Sequence, residues 1–175
     1  MPITLIKEDG TGKSNANTYA SVADCDAYHD AHLYGSAWTA ASAGDKDKAL
    51  AMATRLIDEE FQFNGARNSV TQALQWPRAN CPAPDAASGE LVATNVLPKR
   101  VVDATCEMAR ELLLVDRTAN PAGEGIAMQR LADLSEIAYN KKDRRPILSY
   151  PTQALLCKYG VLLKKGMGQV PVVRT

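Results

Sequence analysis

The chain has 175 residues, of which 46% are hydrophobic and 23% are charged, as is usual for a folded single domain. Its 20 basic side chains are balanced by 20 acidic ones, so it lacks the basic excess that gives most nucleic-acid-binding proteins their affinity. No apolar run has the length of a signal peptide or a membrane span, which predicts a protein made in a reducing cytoplasm, without a membrane partner.

The N-terminal segment predicts a short strand or extended arm, ITLIK, followed by a polar loop that contains the string GTGKS. A nucleotide-binding loop needs a glycine five positions before Gly12, where this chain has Lys7, and it needs a helix directly after its Lys-Ser pair. Neither feature is present. We therefore predict that GTGKS is a turn.

The first predicted helix begins after Ser21, with Asp24 placed to complete a capping box, and ends by Gly35. Cys25, His29 and His32 lie on one face of this helix at positions i, i+4 and i+7. These residue types can hold zinc with a water as fourth ligand, but the same spacing arises when a helix packs on a neighbour. The chain marks out no further ligand, so the pattern favours packing.

A second helix is predicted over residues 44–61, because its apolar residues recur at helical spacing and acidic residues stand at its start. Asp58, Glu59 and Glu60 form paired carboxylates on this helix, and we interpret them as solvated surface charges. Residues 65–97 predict a long irregular loop, of the kind that is often functional. Trp76-Pro77 is its most distinctive point, and the indole is expected to fill the core.

A third helix is predicted from Pro98 to residue 117, with a wide apolar stripe that makes it central to the core. A fourth is predicted to follow Pro151 and to run over residues 152–166. Between them, Leu131, Leu134 and Ile137 have helical spacing while Ile137 and Tyr139 alternate as in a strand, so residues 126–145 are a candidate β element. Residues 166–175 are predicted to form an extended tail. The predicted fold is therefore mainly α, a bundle of about four main helices with a small β element and extended N- and C-terminal arms. We expect one domain over residues 1–165.

The four cysteines are far apart and include no Cys-x-x-Cys pair, so no disulfide framework is expected. Cys106 and Cys157 lie among apolar residues and are interpreted as small core residues. The chain also has no nucleophile elbow and no third histidine to serve a Ser or Cys nucleophile. The sequence thus predicts no catalytic residue, no metal site, no cofactor and no enzymatic activity.

Five stretches taken together resemble a family of tailed-phage proteins that are often labelled DnaT-like single-stranded-DNA-binding proteins and are similar to head–tail connectors. They cover most of the chain in order: EDGTGKSNANTYASVADCDAYHDAH, KALAMATRLID, QALQWPRA, LPKRVVDATCEMAREL and YPTQALL. The family also has a β segment that usually ends in a Tyr. Here RLADLSEIAYNKKDRR departs from that segment, with Tyr139 at the matching position.

The resemblance implies a structural virion protein of the neck, a head–tail adaptor that forms a ring, expected to be twelve-fold, beneath the portal. Its partners would be copies of itself, the portal protein, a stopper, tail-terminator or tail-tube protein, and genomic DNA passing through the lumen. The expected interface residues lie in the Trp-Pro-Arg loop and in the tail: Trp76, Arg78, Gln169, Val170, Val172, Val173 and Arg174. The alternative is a single-stranded-DNA-binding replication protein, which would need aromatic stacking platforms and a basic groove.

Overall fold

The computed structural model describes residues 3–120, 128–131, 135–138 and 145–163. Within these ranges the fold is helix-rich but mixed, with five helices and three two-stranded antiparallel sheets. The helices are α1 (Val22–Asp30), α2 (Ser36–Thr39), α3 (Ala43–Glu60), α4 (Lys99–Leu114) and α5 (Tyr150–Leu156). The strands are β1 (Phe61–Phe63), β2 (Ala66–Arg67), β3 (Arg78–Ala79), β4 (Met128–Leu131), β5 (Ser135–Ala138) and β6 (Gly160–Leu162).

The first helix begins at the predicted cap. The Ser21 side chain accepts a hydrogen bond from the Asp24 amide, and the Asp24 carboxylate accepts one from the Ser21 amide, so the capping box is confirmed. The helix ends earlier than predicted, at Asp30, and the chain then turns into the short α2. Gly35 sits at this corner because a Cβ there would lie 2.9 Å from the His29 carbonyl oxygen.

The second and third predicted helices are confirmed as α3 and α4. Ser42 caps α3 by accepting a hydrogen bond from the Asp45 amide. Helix α4 is central, since it packs against α1, α2, α3 and α5. Its buried side chains include Val101 and Met108, and the buried Thr105 hydroxyl donates to the Val101 carbonyl oxygen.

The fourth helix was predicted over residues 152–166, and this prediction is wrong beyond Leu156. Helix α5 stops at Leu156, and after a turn the chain continues as β6, antiparallel to β1. Gly160 permits this pairing, because a Cβ there would lie 2.1 Å from the Gln62 carbonyl oxygen. Phe61, predicted as the last helical residue, starts β1 instead and stays buried. The described residues thus confirm a helix-rich fold but do not confirm a bundle of four main helices.

The predicted β element is present as the hairpin β4–β5, in which Met128 pairs with Ala138 and Leu131 with Ser135. Tyr139 and residues 126–127, 132–134 and 140–144 lie outside the described residues. The loop over residues 65–97 is more ordered than predicted, because β2 pairs with β3 and Pro82 bridges to Leu91. The Trp76-Pro77 peptide bond is cis.

The cysteine prediction is wrong at two points. Cys25 and Cys106, both fully buried, form a disulfide that ties α1 to α4. Cys157 is exposed rather than a core residue, while Cys81 is a buried free thiol. The sequence did not indicate this pairing, because the two cysteines are 81 residues apart. In the described part of the chain, no helix has the length and apolar character required to cross a membrane.

Candidate nucleic-acid and protein contact surfaces

The GTGKS loop is an anion-binding turn that the chain fills with its own carboxylate. The fully buried Glu8 accepts hydrogen bonds at Oε1 from the amides of Gly10 and Gly12, both at 2.9 Å. Its Oε2 accepts from the Lys13 amide at 2.8 Å. Gly10 and Gly12 have φ angles of 99° and 77°, which turn successive amides inward. The predicted turn is confirmed, and the position a phosphate would need is occupied by Glu8.

A second cluster holds the Trp-Pro-Arg loop against α3. The Tyr19 hydroxyl donates to Asp58 Oδ1 and accepts from the Gln75 amide, while Asp58 Oδ2 accepts from the same Gln75 amide at 3.0 Å. Burial raises the pKa of Asp58 to about 6, and burial together with the neighbouring Asp58 raises the pKa of Tyr19 well above its ordinary value. The interpretation of Asp58 as a solvated charge is therefore wrong. Of the predicted acidic set only Glu59 is exposed, since Glu60 is buried.

Arg78 ties the loop to the end of β1. Its guanidinium donates to the carbonyl oxygens of Phe63, Asn64 and Gly65 and to both the carbonyl and side-chain oxygens of Gln75. Only 3% of Arg78 is exposed. It therefore fixes the loop from inside the chain.

Trp76 is fully buried, with its ring at 5.7 Å from Phe63 and 5.8 Å from Tyr159, both edge to face. It fills the core of the single chain, as expected. A direct contact of Trp76 or Arg78 with another subunit would require the loop to move. The other expected interface residues, Gln169, Val170, Val172, Val173 and Arg174, lie outside the described residues.

The Cys25, His29 and His32 face packs on α4, as the spacing favoured. Cys25 is bonded to Cys106, so it is not a thiolate ligand, and His29 Nε2 hydrogen-bonds the Cys106 carbonyl oxygen at 3.1 Å. Burial lowers the pKa of His29, which favours the neutral ring with its proton on Nε2. Across the described ranges, no group of three or more His, Cys, Asp or Glu side chains could hold a metal ion.

Sequence reasoning missed Glu8 and Tyr19, and it misinterpreted Asp58 as a solvated charge. The sequence distinguishes these three residues only in that each lies in a stretch that carries the family resemblance. Those stretches meet in space: Lys13 accepts at its carbonyl from the Ala73 amide, beside the Tyr19–Asp58 pair. The contacts of Glu8, Tyr19 and Asp58 thus hold these stretches together from within the fold.

Two aromatic side chains in the described part of the chain are mostly exposed, Tyr34 (72%) and Tyr150 (74%). Tyr34 lies in the α1–α2 corner, with its ring 6.4 Å from that of His32. Tyr150 is the first residue of α5. Both tryptophans are fully buried, so any stacking on the described surface falls to these two tyrosines.

Most described cationic side chains are paired with carboxylates. The pairs are Lys7–Asp24, Lys13–Asp9, Lys46–Asp26, Lys48–Asp45, Arg55–Glu59, Lys99–Asp103, Arg110–Glu107, Arg117–Glu111 and Lys158–Asp85. Three exposed arginines, Arg67, Arg100 and Arg145, make no ion pair with a described carboxylate. Among the residues that the structure describes, these three are the cations most readily available to phosphate groups.

The family model described as "Putative DnaT-like ssDNA binding protein" matches residues 3–175. The chain belongs to this DnaT-like family. No curated protein and no solved structure matches the chain significantly. Membership in the DnaT-like family confirms the family label given by the sequence resemblance, and it favours DNA binding over the connector role expected from that resemblance.

Proposed function

We propose that this chain binds single-stranded DNA. The observation that carries the proposal is the family match, which spans residues 3–175 and whose printed description names single-stranded-DNA binding. This was the alternative in the sequence analysis, and the family favours it over the connector. No catalytic step and no cofactor is part of the proposal.

Stacking is the first part of the proposed interaction. Bases stack on exposed aromatic rings, and each such contact contributes about 1–3 kcal/mol. Tyr34 and Tyr150 are the exposed aromatic rings of the described surface, so we assign the stacking contacts to them. Because every base has a flat face, the binding should show little sequence preference.

Phosphate contact is the second part. Arg67, Arg100 and Arg145 are exposed and make no ion pair with a described carboxylate, whereas the other exposed cations of the described ranges are already engaged with carboxylates. Three contacts would give a shallow salt dependence, with a slope of log K against log salt of about −2. A protein with a broad basic groove would have a much steeper slope.

The experiment is a fluorescence-anisotropy titration of a labelled oligo-dT with the full chain and with Tyr34→Ala and Tyr150→Ala. We expect each tyrosine variant to weaken binding by about 5- to 150-fold, from the cost of one lost stacked base. The control is Val70→Ser, because Val70 is 97% exposed and aliphatic. No binding by the wild-type chain, or equal affinities in all variants, would overturn the proposal.

We also propose a second function, a head–tail connector in the virion neck, because one observation favours it. Both tryptophans are buried and the surface carries scattered exposed aliphatic side chains, among them Leu33, Val70 and Val161. Because its charges are balanced, such a surface attracts the phosphates of a nucleic acid weakly, and it is better suited to contact with a protein. Its partners would be further copies in a ring, the portal and a tail-side protein.

Electron microscopy of the chain mixed with its portal tests this second function. A collar on portal particles, lost when residues 166–175 are deleted, would support the connector and its tail contact. Portal particles without any collar would overturn it. Since the DNA titration is read separately, the two functions can be accepted or rejected independently.

A further inference from the structure

Part of the apolar surface at the C-terminal end of α4 is not buried against the core of the chain. Leu112, Leu113 and Leu114 are the last three residues of α4, and Val115 follows them as an extended C-cap. Successive helical side chains point in different directions, so these three cannot all face the core. Leu112 and Leu113 are partly buried against the core, whereas Leu114 is 59% and Val115 40% exposed. This α4 end therefore projects two aliphatic side chains into solvent.

A groove of about 490 Å³ lies beside this projection. Small side chains of α2 and the following turn form one wall, and residues of α3 together with Leu112 and Leu113 of α4 form the rest. The wall formed by α2 and the following turn is shallow, because its residues Ala37, Ala40 and Ala41 have short side chains. Groove and projection thus share the end of α4, because Leu113 lines the groove and Leu114 directly follows it in the chain.

The chemistry of the groove indicates its occupant. No aromatic ring is among its lining residues, so it offers no base a stacking partner. Its two charged lining residues, Asp45 and Lys48, carry opposite signs and give a polyanion no net attraction. An aliphatic protein surface with one charge of each sign fits this groove best.

The chain itself has that surface. We infer that the groove between α2, α3 and α4 receives Leu114 and Val115 of a second copy of this chain. A two-fold axis through the α4 end would place Leu114 of each copy in the groove of the other, and it would bring Asp45 of one copy toward Lys48 of the other. A surface that carries both the projection and the groove is self-complementary, as contacts across a two-fold axis require. This inference rests on neither proposed function.

Sedimentation equilibrium of the full chain, from micromolar to submillimolar concentration, tests the contact. Because Cys157 is an exposed free thiol, all proteins carry Cys157→Ser to prevent covalent dimers. We expect reversible association of the parent, weakened at least about tenfold by Leu114→Ser, the loss expected for one buried leucine side chain. Ala40→Glu, which puts a charge in the groove, should act in the same way.

Val70→Ser is the matched control, because it removes a comparable exposed aliphatic side chain from the loop over residues 65–97. It should associate like the parent, and circular dichroism should confirm that all variants fold. A parent that stays monomeric throughout would overturn the inference, as would equal association constants for the parent and Leu114→Ser. DNA titration of Leu114→Ser separates this result from the DNA-binding proposal, since neither stacking tyrosine is changed.

Discussion

Replacing Glu8 with Gln should destabilise the fold strongly, although the two side chains have nearly the same shape. Glu8 Oε1 accepts from the amides of Asp9, Gly10 and Gly12 at 3.1, 2.9 and 2.9 Å, and Oε2 accepts from Lys13 at 2.8 Å. A carboxamide offers a single oxygen for these four donors. Its amino group must therefore face at least one N–H, because all four partners are donors.

The magnitude follows from the most favourable orientation of the new side chain. The Gln oxygen keeps three of the hydrogen bonds, and each becomes weaker by about 1 kcal/mol because its acceptor is no longer charged. The Lys13 N–H loses its acceptor, which costs about 1–3 kcal/mol. Removing a buried charge offsets part of this cost. We expect a net loss of about 3 kcal/mol in the free energy of unfolding, which for a chain of this size lowers Tm by about 6–12 °C.

Urea unfolding followed by tryptophan fluorescence measures this loss, because Trp38 and Trp76 are both fully buried in the folded chain. Asp9→Asn is the control, since Asp9 lies in the same loop but is exposed, and its substitution should change the midpoint much less. In Glu8→Ala the amides lose their anion, so formate should raise the Tm of this variant and not that of the wild type. A Glu8→Gln midpoint equal to that of the wild type would refute the reasoning that the carboxylate holds the loop.

Two further predictions concern buried groups elsewhere. The pKa of Asp58 is raised from 3.8 to about 6, so the folded chain holds this proton more tightly than the unfolded chain does. Its contribution to stability is therefore complete below about pH 4 and is lost as the pH rises through 6, by at most about 3 kcal/mol. Asp58→Asn has no such group, so its free energy of unfolding relative to that of the wild type should rise as the pH rises between these values. A difference that does not change with pH would contradict the raised pKa of Asp58. Reduction of the Cys25–Cys106 bond opens a loop whose ends are 81 residues apart, worth about 4.5 kcal/mol of chain entropy, so dithiothreitol should lower Tm by about 10 °C or more. Thiol titration of the denatured, unreduced chain should count the two thiols of Cys81 and Cys157, and four thiols would mean that the bond is absent.

The parts of the fold that local sequence determines were predicted well. The capping box of Ser21 and Asp24 joins residues three positions apart, so its pattern is visible in the sequence. The apolar stripes of α3 and α4 repeat every three or four residues, for the same reason. The missing glycine at Lys7 likewise excluded a nucleotide-binding loop, because that motif has fixed local spacing.

The remaining features depend on segments that are distant in the chain. Residues 160–162 have helix-compatible apolar spacing, yet they form β6 because β1 supplies a partner strand and Gly160 lets the two backbones approach. Tyr19 reaches Asp58 across 39 residues, and Cys25 reaches Cys106 across 81. Periodicity and capping describe hydrogen bonds within about four residues, whereas these contacts are set by how helices and loops pack in three dimensions. The sequence by itself therefore determined where the long helices lie, and only the tertiary structure decided which polar groups are buried together and which aromatic rings remain for a partner.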